Sequence, residues 1–110
     1  MKKQKTDRHL ASFSLAGFTY YDGAEVFGQL KVGSKLKMKA EPNNRYDARA
    51  VALYYDGRKL GFVPRNENAI ISKLLNLGYT QIFQAFINRI SPTEGPEAQI
   101  GVTVKIKRNE

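Results

Sequence analysis

A short polar stretch in the first half of the sequence carries a mixture of side chains that a turn alone does not require. A turn at residues 42–44 (Pro-Asn-Asn) is followed by Arg45, Tyr46, Asp47 and Arg49. A guanidinium group binds phosphate, an aromatic ring stacks on a base, and a carboxylate accepts hydrogen bonds from hydroxyl groups. A purely structural interpretation is also open, in which Asp47 accepts a hydrogen bond from the backbone of its loop and Tyr46 is half buried.

Other aromatic and cationic residues lie outside this stretch. Tyr20 and Tyr21 precede a turn, and Arg65 follows a short apolar strand. Lysines alternate with apolar residues over 35–39 and would form a row with a spacing of ~6–7 Å on a strand. This row either follows the phosphates of a nucleic acid or blunts an exposed sheet edge. The candidate nucleic-acid-binding residues are Tyr20, Tyr21, Lys37, Lys39, Arg45, Tyr46, Asp47, Arg49 and Arg65.

The composition limits the other kinds of chemistry. Eighteen Lys and Arg residues against ten Asp and Glu leave a net charge of +8 on 110 residues, which favours a polyanionic partner, nucleic acid first. Cysteine is absent and His9 is the one histidine, so we expect no metal site and no cofactor. His9 has no second base nearby and is expected to be a solvent-exposed bystander. Motifs for phosphate cradling or nucleophilic catalysis are missing, so we expect no enzymatic activity.

The chain length is suited to one domain with its own hydrophobic core. Residues 1–9 are polar, rich in lysine and without periodicity, which predicts a flexible basic arm before a single domain over 10–108. No apolar run reaches the ~18 residues of a membrane span, and no apolar stretch of a signal peptide follows the basic N-terminus. We therefore expect a cytoplasmic monomer without membrane contact, associated with the nucleoid if it binds DNA.

Hydrophobic patterning predicts six strands. Alternation over 35–41 indicates a half-buried strand, and Asp56-Gly57 indicates a type I′ hairpin turn between two apolar runs. The six predicted strands cover residues 10–20, 35–41, 51–55, 59–63, 81–90 and 100–107.

One clear helix is predicted beside these strands. An apolar stripe over 67–77 follows Asn66, a residue suited to the N-cap, and precedes Gly78. A short helical turn is also predicted within 24–30. Closely spaced strands with one helix are typical of a small, partly open β-barrel that the helix covers.

Two segments of the sequence resemble the HIRAN domain family. Residues 42–53 read PNNRYDARAVAL and residues 56–65 read DGRKLGFVPR. They are similar to the family pattern N-x-Y/H-D-x-x-A-V followed by G-x-x-L-G-y-v-p-r. The upstream segment 17–21, GFTYY, fits as well. The resemblance covers about residues 12–107, nearly the whole chain.

The resemblance implies a mainly β fold, a small six-stranded OB-like or SH3-like barrel, and a role in DNA binding. Members of this family occur N-terminal to SNF2-type ATPases and as small bacterial proteins. In one remodeller the domain captures 3′-hydroxyl ends of single-stranded DNA and assists fork reversal. Carried over by motif, Tyr20 and Tyr46 would flank the terminal bases. Asp47 would accept a hydrogen bond from the 3′-hydroxyl, and Arg65 would contact phosphate.

Two functional hypotheses follow. The first is a non-enzymatic module that binds single-stranded DNA or 3′-OH DNA ends in DNA repair or replication-fork processing. The alternative is a small β-barrel that binds a protein partner and tethers a nuclease or an ATPase. Two departures from the remodeller domain bear on the first hypothesis. This chain has Thr19 where that domain has a basic residue just before its tyrosine pair. It has Val104 where that domain has an aromatic residue in its last strand. Arg45 is a candidate to replace the lost charge.

Overall fold

Six antiparallel strands form the framework of the protein, whose computed structural model describes residues 8–108. The strands are β1 (Arg8–Ser14), β2 (Lys35–Ala40), β3 (Val51–Tyr55), β4 (Arg58–Phe62), β5 (Phe83–Ile90) and β6 (Ile100–Ile106). They lie in one sheet in the order β1-β6-β5-β2-β3-β4. The predicted mainly β fold with six strands is confirmed, and the sheet is not closed into a barrel.

Two short α-helices accompany the sheet, α1 (Gly23–Val26) and α2 (Ala69–Asn76). Helix α2 begins two residues later than predicted, because residues 65–67 form a separate 3₁₀ turn. The residue at its N-cap is Asn68 rather than Asn66, and the Asn68 side chain does not cap the helix. Ile71 and Leu75 are the buried apolar positions of α2 and pack into the core. Among residues 8–108, none of the helices has the length and apolar character needed to traverse a bilayer.

The core lies between the strands and α2. Its fully buried side chains come from every part of the fold, and the largest are Leu15, Leu53, Leu60, Ile71, Ile87 and Ile100. The hairpin between β3 and β4 turns at Asp56 and Gly57, both of which have the positive φ values of a type I′ turn. Strands β2 and β6 also lie where alternation predicts them.

Strand β1 ends earlier than predicted. It stops at Ser14 instead of continuing to residue 20, because Gly17 adopts a left-handed conformation with φ 73°. Residues 18–20 then form a 3₁₀ turn in which the Tyr20 N–H donates to the Gly17 carbonyl (3.0 Å). The tyrosine pair is therefore presented by a turn and not by the sheet.

The other end of β1 also differs from the prediction. Arg8 and His9 belong to this strand, so it begins inside the stretch predicted as a flexible arm. Residues 1–7 of that predicted arm lie outside the described residues. His9 is exposed, as expected, and its Nε2 lies 2.8 Å from Ser12 Oγ.

One isolated bridge joins the two edges of the open sheet. Ala16, which follows β1, exchanges two backbone hydrogen bonds with Phe62 of β4, each 2.9 Å long. Strands β1 and β4 are the two edge strands of the sheet. The bridge therefore brings the segment after one edge against the opposite edge, and it fixes the position of the turn that carries Tyr20 and Tyr21.

Candidate nucleic-acid interface

A cleft of about 240 Å³ lies where the turn after β1, the loop before β3 and the end of β4 meet. We call it the tyrosine cleft. Ala16 and Phe62, the two residues of the isolated bridge, are among its lining residues. Five of the predicted site residues also line it: Tyr20, Tyr21, Tyr46, Asp47 and Arg65.

Two tyrosine rings at this cleft are open to solvent. Tyr20 is 84% exposed and Tyr46 is 77% exposed, so the predicted half burial of Tyr46 is wrong. Tyr21 is held more firmly, because its ring packs edge-on against Phe62 with 5.6 Å between the ring centroids. Phe18, which belongs to the same turn as Tyr20, is buried in the core. Tyr20 and Tyr46 are thus the rings available to a base.

Asp47 is held by its own loop and by the N-terminus of α2. Its Oδ1 accepts a hydrogen bond from the Arg49 N–H (2.9 Å), which confirms the structural interpretation of this residue. Its Oδ2 accepts a second bond from Asn68 Nδ2 (2.9 Å), and Arg65 Nε lies 3.8 Å from the same oxygen. Asn68 is only 2% exposed, so it is a fixed donor.

These contacts keep Asp47 ionised. The hydrogen bond from the Arg49 N–H, followed by the one from Asn68 and the charges of Arg65 and Arg49, holds the pKa of Asp47 below its ordinary value against the smaller effect of burial. An ionised carboxylate has about four lone-pair positions, of which two are occupied here. The group can therefore accept a further hydrogen bond from a hydroxyl at the cleft, whereas it repels a phosphate.

Asn44 sets the conformation of the loop that carries Tyr46 and Asp47. Its Oδ1 accepts hydrogen bonds from the N–H groups of Tyr46 (2.8 Å) and Asp47 (3.1 Å). Its Nδ2 donates to Glu41 Oε1 (3.0 Å), and Glu41 Oε2 accepts from Lys59 Nζ (2.8 Å). A chain of polar contacts therefore ties the loop to β4, the strand that carries Lys59.

The ion pair between Glu41 and Lys59, at the end of this series of contacts, outweighs the effect of partial burial on the pKa values of both groups. Burial opposes the charge of Glu41, but the hydrogen bonds from Lys59 and Asn44 and the charge of Lys59 together lower the pKa of Glu41. Burial also opposes the charge of Lys59, yet the bond to Glu41 raises the pKa of Lys59. The Lys59 ammonium lies 4.9 Å from the Tyr21 ring centroid and 4.5 Å from that of Phe62. It therefore supports one wall of the tyrosine cleft.

The arginines occupy three different positions. Arg65 donates from Nη2 to the Tyr46 carbonyl (2.9 Å), while its side chain stays 73% exposed and keeps further N–H donors. The guanidinium of Arg45 lies 5.8 Å from the Tyr46 ring centroid but does not line the cleft. The Arg49 side chain is exposed beside α2, also outside the cleft. Arg65 is thus the cation placed to meet a phosphate there.

The remaining predicted residues lie elsewhere. Lys37 and Lys39 line a separate cleft, so the structure does not bring them together with the tyrosines. Thr19 is exposed in the turn beside Tyr20. Val104 is fully buried in β6 and presents nothing to the tyrosine cleft. Within residues 8–108 no group of three or more His, Cys, Asp or Glu side chains is arranged to hold a metal ion.

Sequence reasoning missed the residues that position this site. Asn68 was not distinguished from Asn66, because both are polar residues at the start of a predicted helix. Glu41 and Lys59 are eighteen residues apart in the sequence, and no local pattern around either residue predicts their contact. The sequence predicts the turn at residues 42–44, but not that the Asn44 side chain accepts hydrogen bonds from the Tyr46 and Asp47 N–H groups.

Comparison with known proteins gives one family and two solved structures. The family model of the HIRAN domain matches residues 9–108. A crystal structure of a protein from Lactobacillus plantarum is 18% identical, with a TM-score of 0.76, and the match covers 96% of this chain and all of that one. The crystal structure of the HIRAN domain of human HLTF is 14% identical, with a TM-score of 0.67, over 94% of this chain and 81% of that one. Among curated proteins no relative matches.

These two structures share the fold of this chain at identities too low to carry residue roles. The family match is more informative, because it spans nearly all of the described residues and includes both motif segments. The HIRAN domain is known as a DNA-binding domain and not as a catalytic one. This chain belongs to the HIRAN domain family.

Proposed function

We propose that this chain binds single-stranded DNA and receives a strand end with a free 3′-hydroxyl in the tyrosine cleft. The observation that carries the proposal is the convergence of Tyr20, Tyr46, Asp47 and Arg65 on one cleft. Stacking rings beside a cation suit a single strand, whose bases are accessible. A protein that holds such an end fits DNA repair or the processing of replication forks.

Each of the four residues has a distinct role in this proposal. Tyr20 and Tyr46 are highly exposed and stack on or flank the terminal bases. Arg65 keeps its hydrogen bond to the Tyr46 carbonyl and uses its other N–H donors on a phosphate. Asp47 accepts a hydrogen bond from the terminal hydroxyl.

The carboxylate of Asp47 is what favours an end over an internal nucleotide. A negative charge held in place by Arg49 and Asn68 repels a phosphate at the same position. An internal nucleotide continues into a phosphate on its 3′ side, whereas a terminal nucleotide carries a hydroxyl that donates. The site therefore selects for the end of the strand.

The test compares one short strand with a free 3′-OH and the same strand with a 3′-phosphate. Binding is measured by fluorescence anisotropy at ~150 mM salt, where weak electrostatic contacts are largely screened. We expect at least about tenfold tighter binding of the hydroxyl strand, since a hydrogen bond to a charged group contributes ~1.5–3 kcal/mol.

Equal affinity for the two strands would contradict end recognition. An Asp47→Ala variant should lose the preference, whereas Asp56→Asn, which removes an exposed charge in the β3–β4 turn and keeps a residue that tolerates the positive φ there, should retain it. Failure to bind either strand would contradict DNA binding by this site. It would favour the alternative of a module that binds a protein partner.

A further inference from the structure

A second cleft, of about 470 Å³, lies where β2 separates from β5. In β2 only Lys35 and Leu36 pair with β5, whereas residues 37–40 pair with β3. Strand β2 therefore passes from one neighbour to the other and leaves open space beside the start of β5. We call this space the lysine cleft, after Lys35, Lys37, Lys39 and Lys107 in its lining. It shares no lining residue with the tyrosine cleft.

The lysine cleft carries positive charge that no ion pair balances within residues 8–108. All four lysines are exposed. No carboxylate among residues 8–108 forms an ion pair with any of them. The twelve residues that line the cleft, all of them in the described part of the chain, include no Asp or Glu. By contrast, Lys59 near the tyrosine cleft is paired with Glu41. Lys39 Nζ lies 5.5 Å from the Tyr54 ring centroid, a contact that leaves its positive charge unbalanced. The charge of all four ammonium groups is therefore available to an anionic ligand.

The arrangement of these charges suits an extended polyanion. Alternate residues of a strand lie ~6–7 Å apart on the same face, so three lysines of β2 form a regular row. Lys107, directly after β6, adds a fourth cation to the same cleft. A nucleic-acid backbone carries one negative charge per nucleotide along its length. The regular row and the DNA-binding family both favour this backbone over an acidic peptide.

We propose that the lysine cleft is a second nucleic-acid contact, which holds phosphates of the DNA backbone without reading the bases. The tyrosine cleft then selects the end of the strand, while the lysine cleft adds affinity that depends on salt. This inference rests on the DNA binding proposed above, but not on its preference for a 3′-hydroxyl.

The test compares two double variants with equal loss of charge. Lys37→Gln/Lys39→Gln removes two cations of the lysine cleft. Lys31→Gln/Lys73→Gln removes two exposed cations that line neither cleft. Affinity for the 3′-OH strand is measured over a salt series, and the slope of log K against log salt counts the phosphate contacts.

We expect the first variant to lower this slope by about 1.4–2 and to weaken binding at ~150 mM salt about tenfold, at an unchanged ratio between 3′-OH and 3′-phosphate strands. The control variant should change the slope much less. Equal effects of the two variants would overturn the proposal, because the general loss of charge would then explain both. An unchanged slope in the first variant would overturn it too.

The proposal and the function of the tyrosine cleft fail in different ways. If the wild type binds both strand ends equally, and the salt slope falls only in the lysine-cleft variant, end recognition is overturned and the second contact is supported. A protein that prefers the hydroxyl, with no difference between the two variants, would support end recognition and overturn the second contact.

Discussion

At the scale of single residues, Asp47 combines a structural and a binding role. One oxygen accepts from the backbone of its own loop and the other from buried Asn68, yet the side chain remains 22% exposed at the cleft. These contacts leave the carboxylate able to accept further hydrogen bonds, since lone pairs remain on its oxygens. They also hold it in one orientation before any ligand arrives, which reduces the entropy lost on binding.

The lowered pKa of Asp47 also fixes how it responds to acid. The unfolded chain takes up the proton first, near the ordinary aspartate pKa of about 3.8. The contribution of Asp47 to stability is therefore fully present above that pH. It is lost as the pH falls through the lower pKa of the folded protein. At neutral pH the carboxylate is charged, as hydroxyl recognition requires.

An Asn68→Ala substitution tests how Asp47 is held. Loss of the Asn68 donor should raise the pKa of Asp47 toward its ordinary value and weaken the preference for a 3′-OH strand. Carboxyl carbon chemical shifts, followed over a pH titration, report the pKa directly. Asn66→Ala removes an exposed asparagine two positions earlier and should change neither quantity. Identical titration of Asp47 in the two variants would contradict the assigned role of Asn68.

At the scale of elements, the tyrosine cleft depends on a close contact between β4 and the segment after β1. A Cβ at Gly61 would lie 2.2 Å from the Ala16 carbonyl oxygen and 2.4 Å from Leu15 Cδ2. Glycine at this position therefore allows the bridge between Ala16 and Phe62 to form. The same bridge lies in the lining of the cleft, so the packing of two elements fixes the geometry of the site.

A Gly61→Ala substitution should separate these elements. We expect a loss of about 1–3 kcal/mol in the free energy of unfolding, because the added methyl group overpacks a contact with backbone. Urea denaturation measures this loss, and DNA affinity should fall with it. Gly28→Ala is the matched control, since a Cβ there meets nothing within 4 Å. Comparable stability of the two variants would show that the bridge tolerates a side chain.

The elements also show what the sequence can predict. Alternation placed β2 and β6, and Asp56-Gly57 placed the hairpin of β3 and β4, because these signals are local. The predicted strand over 10–20 was wrong in its second half, since one left-handed residue, Gly17, turns the chain. The contacts of Asn68 and of Lys59 with the loop depend on how β4 and α2 dock, and no local pattern encodes that.

At the scale of the whole molecule, the two clefts have different proposed roles in DNA binding. The tyrosine cleft receives the strand end, and the lysine cleft contacts backbone phosphates. Strand β2 changes its partner from β5 to β3 after Leu36, and the lysine cleft forms there. The tyrosine cleft forms where the opposite edges of the sheet approach each other. Because the two share no lining residue, substitutions in one should leave the geometry of the other intact.

Independent clefts should act additively on DNA affinity. Tyr46→Ala should cost about 1–3 kcal/mol of binding free energy through the loss of a stacked base. Combined with Lys37→Gln/Lys39→Gln, the total should equal the sum of the separate costs within about 0.5 kcal/mol. Anisotropy titrations of the three variants measure this. Tyr79→Ala, an exposed tyrosine that lines neither cleft, should bind as the wild type does. A coupling well above 0.5 kcal/mol would indicate one continuous site.

The bridge between Ala16 and Phe62 has a consequence for how the folded protein behaves among its own copies. An edge strand with unpaired backbone groups is a template for another chain and promotes aggregation. Along β4, the backbone N–H and carbonyl groups of Phe62 are hydrogen-bonded to Ala16. The Lys59 carbonyl accepts a hydrogen bond from the Asp22 N–H (2.9 Å). Both ends of this edge are thus covered by the same turn region that carries the tyrosine pair. The segment that shapes the tyrosine cleft therefore also protects the β4 edge of the sheet against edge-to-edge association.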